Sequence, residues 1–455
     1  MSKTHSVLDK WAYLARAPMT IVCPRMELLG RDAEPIVASG PGTLKAVSAS
    51  LYTYEFKALP KDIQFALQAF NRMRDNPYDG LSRFRLIIED EGGVEFNAGW
   101  TSPKFTLPRK TSELWTFSGD CDSLATQGTD GGAFPRGSTE ARYIIPREHH
   151  VWLALRESVG KGRQFEILGS KLSVNFDPDA DMLILSAPAS DNLPLTYTEN
   201  WLGEPLRVLF GQLVFPRLVA RAYGEKGEAQ IWVRPSPRWT NDSNWIAYWR
   251  ELWPEVDGDQ LWSTYAALLS YVASARDKDG HPNFESNTLT TLYEEIIQAT
   301  RGSRWVSTLT IASSIEGILR MLVPFGVKRG DADSTSGEDL IRHIAAWDGN
   351  SRLKKIAIGA VSRDENLGST RALRNLAGAG LVQSEGVRGW EKIRHKVMHG
   401  NLVSPYSSEE DDRILISMAG LLHSLTKLLI SSREVAASAA VKGTRSHGTD
   451  YVSPA

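Results

Sequence analysis

Near residue 258 the hydrophobic period of the chain changes, and this constrains the fold more than any other feature. Before it, apolar residues alternate in short runs, as in Tyr52, Tyr54 and Phe56, the pattern of a half-buried strand. After it they recur every three or four residues, as in Trp390, Ile393 and Val397, the pattern of a helix with one buried face. The expected fold class is α+β multidomain: a β-rich N-terminal α+β domain followed by an all-α helical bundle. The boundaries read as 1–235 for a β-rich sensing or regulatory domain, 236–257 for a tryptophan-rich junction, 258–435 for the bundle and 436–455 for a flexible tail.

Within the first domain, MTIVCPRMELLG predicts a strand. Pro60 opens a helix with Ile63, Ala66, Leu67 and Phe70 on one face. FRLIIEDEGGVEFNAGW predicts a hairpin turning at Gly92 and Gly93. Further strands are predicted at 114–117, 142–145, 165–168, 172–176, 182–185 and 229–233, and a helix at 205–223. In the junction, Trp245, Trp249 and Trp253 fall at i, i+4 and i+8, one aromatic stripe on a short helix. Such a stripe is either a packing seam between domains or a platform on which RNA bases stack. Helices are predicted at 260–276, 285–300, 304–323, 337–347, 370–381, 388–399 and 409–432. Ser336 with Asp339 resembles a capping box.

The chain has 455 residues and a formal net charge of −2. That balance argues against a protein that coats nucleic acid, which would be strongly basic, but allows a local basic cleft. Cys23 and Cys121 are the only cysteines, which excludes a disulfide scaffold or a four-cysteine zinc site and fits a reducing, cytoplasmic compartment. No signal-peptide core and no run of about 20 apolar residues is present, so no membrane partner is expected. Phosphate loops, nucleophile elbows and dinucleotide fingerprints are missing, so no cofactor is expected. Asp177, Asp179 and Asp181 alternate, but Met182 and Pro188 stand where a calcium loop needs glycine and glutamate, so they read as a polar turn. His149, His150, His343 and His423 read as structural.

The chemistry concentrates in RGWEKIRHKVMHGNLV, residues 388–403, where Arg394 is followed five positions later by His399. The stretch reads as the end of an amphipathic helix, with Gly400 and Asn401 just beyond it. A guanidinium grips a phosphate with a fork of donors, and an imidazole can carry a proton near neutral pH. RNA supplies its own nucleophile, the 2′-hydroxyl, so a cleaving site needs only proton transfer and charge stabilisation. On an ideal helix residues five apart point about 140° away from each other, so convergence requires a loosened helix end or a second subunit. The competing reading is a solvated helix end whose cations answer the macrodipole. His395 and His399 also stand at i, i+4, the spacing of a metal clamp; Lys396 between them opposes a cation and no third ligand is near, so no metal is expected. Lys392 and Lys396 are candidate phosphate contacts. Glu316, alone on the apolar face of the 304–323 helix, can orient Arg394 or His399, or simply pair with Arg320 at i+4.

The Arg394-x4-His399 pattern resembles the Arg-x4-6-His signature of the HEPN superfamily, in which a polar residue commonly follows the arginine, as His395 does here. WVSTLTIASSIEGILRMLV resembles that family's core helix with its internal glutamate, here Glu316, and a long helix follows the motif. The nearest subgroup is the ApeA-like HEPN proteins of anti-phage defence, which carry a large N-terminal domain. The resemblance covers roughly the last two-fifths of the chain. It implies a metal-independent endoribonuclease acting on RNA as a homodimer through the bundle, in defence or abortive infection. Arg394 and His399 would be catalytic, supported by His395, Lys396, Lys392, Glu316 and Asn401. Its products would carry a 2′,3′-cyclic phosphate. A phage-derived trigger or regulatory partner would act at the N-terminal domain. The alternative it leaves open is a non-catalytic HEPN module for dimerisation or for binding RNA or protein.

Overall fold

The computed structural model describes all residues except 1–5, 7, 31–35, 108–112, 127–128, 131–135, 161, 223–227, 253–257, 284–286, 324–330, 366–367, 399–407 and 444–455. The chain divides into two compact units. One comprises Met1–Leu206, Leu213–Thr240 and Val256–Trp262; the other comprises Arg207–Gln212, Asn241–Glu255 and Ser263–Ala455. The class is α+β.

The first unit is built on one antiparallel sheet. Its strands are β1 (Met19–Leu29), β2 (Ile36–Ser48), β3 (Leu51–Ala58), β4 (Phe84–Glu89), β5 (Glu95–Thr101), β6 (Lys104–Thr106), β7 (Trp115–Cys121), β8 (Leu124–Thr126), β9 (Thr129–Asp130), β10 (Ser138–Ile144), β11 (Arg163–Ile167), β12 (Ser170–Asp177), β13 (Met182–Pro188), β14 (Leu218–Ala222) and β15 (Glu228–Val233). They lie in the order β11-β12-β13-β10-β14-β15-β8-β5-β4-β1-β2-β3-β7-β6, with β9 on β15. Along this order β5 and β7 are five places apart, yet Thr101 of β5 donates to the Asp120 carbonyl of β7 at 2.9 Å and bonds the Tyr54 hydroxyl of β3 at 3.0 Å. The run from β5 to β7 therefore curls until its ends meet.

Alternation fills the inside of that curl. Tyr52, Tyr54, Phe56 and Phe117 point inward and are buried, and the Phe56 and Phe117 rings stack 4.9 Å apart. Helix α1 (Ile63–Asp75) is capped by the Asp62 side chain on the Phe65 amide and inserts Phe70 against Phe84, Phe105 and Phe117. Its buried face is Ala66, Ala69 and Phe70, whereas Ile63 and Leu67 are exposed, so the apolar face expected for this helix is rotated. Cys23 and Cys121 are buried free thiols. Arg217 is fully buried and has no carboxylate partner among the described residues; its guanidinium donates to the carbonyls of Leu14, Ala15, Ala49 and Arg234 and lies over the Tyr52 ring.

The helix expected at 205–223 is corrected. Helix α3 runs Leu195–Phe210 with Pro205 inside it, and the chain then returns as β14. Residues 201–210 and all five of β14 are buried, so neither segment carries the one-sided period that separates helix from strand. Helix α2 (His150–Val159) is capped by His149, whose Nδ1 accepts from the Val151 amide at 3.3 Å. Asp177 accepts from the amides of Asp179 and Ala180, the local turn expected of that acidic run.

The second unit is helical: α4 (Gly258–Ala273, begun in the first unit), α5 (Thr288–Ala299), α6 (Arg304–Leu322), α7 (Asp331–Ala346), α8 (Ser351–Glu365), α9 (Ser369–Gly378), α10 (Ser384–Met398) and α11 (Glu409–Gly443). Helix α6 is central, packed against α5, α9, α10 and α11. Its residues Ile311, Ile315, Ile318 and Leu319 are buried, as are Tyr293 of α5, Trp390 of α10 and Leu421, Leu422 and Leu425 of α11, on the helices that pack against it. Each such side chain contributes about 1.5–3 kcal/mol by leaving water. The tryptophan helix is also corrected: Asn241–Ile246 and Tyr248–Leu252 are 3-10 turns, in which i and i+4 no longer share a face. Trp249 is buried and Trp245 half-buried; Trp253 lies outside the described residues. Ser336 falls inside α7, not at its start. The segment Glu409–Ser431 is long and apolar enough to cross a bilayer, and half of that window is buried, including His423, whose ring nitrogen bonds the Ile246 carbonyl at 3.0 Å.

Candidate active site

Helix α10 presents two faces. Val387, Trp390 and Ile393 are buried against α6 and α11, and the Trp390 indole donates to the Ala312 carbonyl at 2.9 Å. That bond locks the ring, and the Arg394 guanidinium, one turn later, lies over it at 5.3 Å. The electron-rich face of an indole attracts a cation held over it in this way.

Glu316 meets Arg394 from α6. Its Oε2 accepts from Arg394 Nε at 3.3 Å, and its Oε1 accepts from Arg320 Nη2 at 2.9 Å and from the Ser369 hydroxyl at 3.0 Å. Both sequence readings of Glu316, as the orienter of Arg394 and as the partner of Arg320, are therefore realised at once. Partial burial pushes its carboxyl upward, but the bonds from Arg320, Ser369 and Arg394 outweigh this and hold it below the ordinary carboxylate value. One carboxylate facing two guanidiniums leaves the cluster positive. Arg394 is fixed through Nε and the ring face. Among the described residues its Nη groups have no further partner, and its side chain is 39% exposed. Two open Nη groups held in plane form the donor fork that a phosphate fits.

The other expected residues divide. His395 is exposed and Lys396 half-buried on the same helix. Lys392 is engaged elsewhere, its ammonium bonded to Glu410 of α11 at 2.7 Å, a pairing that raises its pKa. Its expected role as a phosphate contact thus competes with a carboxylate. His399 and Asn401 lie outside the described residues. Among the described residues no group of three histidine, cysteine, aspartate or glutamate side chains is placed to hold a metal.

Two supporting residues escape sequence reasoning. Ser369 opens α9, 53 positions from Glu316, and nothing local marks a serine at a helix start as a distant donor. Arg374 of α9 grips Glu391 of α10 through Nε and Nη2 at 2.8 and 3.0 Å, tying the helix that carries Ser369 to the one that carries Arg394. No protein-family model, no curated protein and no solved structure matches this chain.

Proposed function

We propose that this chain is a metal-independent endoribonuclease of the HEPN type that cleaves cellular or phage RNA in anti-phage defence, acting as a homodimer through its helical unit. The observation that carries the reading is the Arg394 guanidinium, anchored at Nε by Glu316 and placed over the Trp390 ring, with its Nη groups unpartnered among the described residues. In this mechanism Arg394 binds the scissile phosphate and stabilises the charge that develops on it. The 2′-oxygen attacks the adjacent phosphorus and the 5′-oxygen leaves. His399 transfers a proton: as base it takes the 2′-hydroxyl proton while water protonates the leaving 5′-oxygen, and as acid it protonates the 5′-oxygen while water takes the 2′-hydroxyl proton. The products are a 2′,3′-cyclic phosphate and a 5′-hydroxyl. Lys396 adds a phosphate contact, and His395 and Asn401 supply polar groups to the RNA. The sheet unit holds the nuclease inactive until a trigger or partner arrives, since an uncontrolled ribonuclease would destroy its own cell.

A second reading is favoured by the same carboxylate. An arginine already paired with Glu316 also suits a module that binds RNA or protein without cutting it. The deciding experiment incubates purified protein with total RNA in chelator, comparing wild type, Arg394→Ala and His399→Ala. Cleavage by the wild type alone, with helix content and oligomeric state unchanged in all three, supports the nuclease. RNA retention without cleavage by the wild type, both intact and after removal of the sheet unit, favours the binding module.

A further inference from the structure

The outer face of the curled sheet carries a polar cleft of about 290 Å³. Its lining follows from register. One row across the strands runs Lys45–Thr53–Asp120, and the next runs Thr43–Glu55–Ser118–Lys104, with Ser102 beside them. The alternate residues Leu44, Tyr54, Phe56 and Phe117 fill the interior, so these charges and hydroxyls share the outward face. The floor is rigid. Tyr54 donates to Thr101, which donates to the Asp120 carbonyl. Gly119 leaves room for the phenol, for a Cβ there would stand 2.7 Å from the Tyr54 oxygen.

Two lysines and two carboxylates stand on neighbouring strands, where opposite charges ordinarily meet. Among the described residues none of the four is matched in an ion pair. Hydroxyls separate them, giving an alternation of cation, hydroxyl and carboxylate. The four charges disfavour an apolar ligand, the lysines disfavour a metal ion, and Glu55 with Asp120 disfavours a polyanion. What remains is a molecule with one anionic end and several hydroxyl donors. Lysines bind phosphate as point charges, carboxylates only accept hydrogen bonds, and Ser and Thr hydroxyls do both.

We propose that this cleft binds a phosphorylated sugar, free or as part of a nucleotide, with Lys45 or Lys104, at the two outer strands, on the phosphate and Glu55 and Asp120, on the strands between them, on the sugar hydroxyls. The site stands independently of the nuclease reading. Titration calorimetry on the full chain with ribose 5-phosphate, AMP, ribose and inorganic phosphate tests it. Ribose 5-phosphate or AMP binds, and each ligand lacking one half binds more weakly. A preference for AMP assigns the nucleotide, and equal binding assigns the free sugar phosphate. The Lys45→Ala/Lys104→Ala variant, altered only at exposed positions, loses roughly tenfold or more in affinity, the scale of a charged hydrogen bond. Glu55→Gln weakens sugar phosphate while sparing inorganic phosphate. Binding of neither phosphorylated sugar, equal binding of inorganic phosphate, or unchanged affinity in the lysine variant overturns the proposal.

Discussion

Glu316 and Arg394 are 78 positions apart in the chain and 3.3 Å apart in space, and the carboxylate takes the Nε hydrogen while leaving the Nη groups open. Replacing the carboxylate therefore tests orientation without removing the guanidinium. Glu316→Gln keeps shape and loses charge. RNA cleavage is expected to fall roughly tenfold, the effect of a slightly misplaced catalytic group, with less change in RNA affinity. Arg394→Ala should remove cleavage altogether, and Arg394→Lys should not restore it, because an ammonium lacks the planar fork. Equal cleavage by wild type and Glu316→Gln would sink the orienting role.

The same carboxylate makes a pH prediction. Its folded pKa lies below the ordinary value of 4.5. A depressed carboxylate contributes stability that is present above the unfolded pKa and lost as pH falls through the folded one. The gap in urea midpoint between wild type and Glu316→Gln should be constant from neutral pH down to about pH 5 and close below about pH 4. A gap that widens in acid would contradict the assignment.

Helices α10 and α11 cross where α10 carries Gly386 and Gly389. A Cβ at Gly386 would stand 2.7 Å from the Ser417 carbonyl and 2.8 Å from the Leu421 Cβ, whereas at Gly389 the nearest atom is the Ser417 hydroxyl at 2.9 Å. Backbone cannot yield as a hydroxyl can. Gly386→Ala should cost about 1–3 kcal/mol, the usual scale of overpacking, and more than Gly389→Ala. Chemical denaturation of the two variants checks the order.

Trp390 does two things, and two substitutions separate them. Trp390→Ala opens a cavity under α6 and should cost about 3–5 kcal/mol. Trp390→Phe keeps a ring beneath Arg394 but loses the bond to the Ala312 carbonyl, about 1 kcal/mol. If the ring serves Arg394 as a platform, Trp390→Phe should retain most cleavage at a temperature where both proteins are folded.

Much of the sheet was legible where one face of a strand meets water: Tyr52, Tyr54 and Phe56 are buried, alternate with half-buried or exposed neighbours and read directly. Strand β2 was not, because Gly40, Pro41 and Gly42 interrupt it. Those glycines are there for close approach, as a Cβ at Gly40 would stand 2.2 Å from the Lys57 carbonyl and one at Gly42 2.4 Å from that of Glu55. Helix α8 escaped although Ala357, Ile358 and Val361 are half-buried at helical spacing, because none of its described side chains is fully buried and charged residues interrupt its apolar ones. In the candidate site Glu316 was visible as an acid stranded in an apolar run, and Arg394 through its motif. Ser369 and Arg374 were not, since their roles depend on how α9 packs against α6 and α10.

The buried Arg217 has a consequence for the order of assembly. Its carbonyl partners Leu14 and Ala15 lie about 200 residues upstream and Ala49 lies 168 upstream, while Arg234 follows 17 positions later. During synthesis the early strands emerge long before the guanidinium that ties their ends together, and contacts of such separation form slowly. The first unit is therefore completed late in translation, after residue 234 has left the ribosome, when the helical segments are already being made.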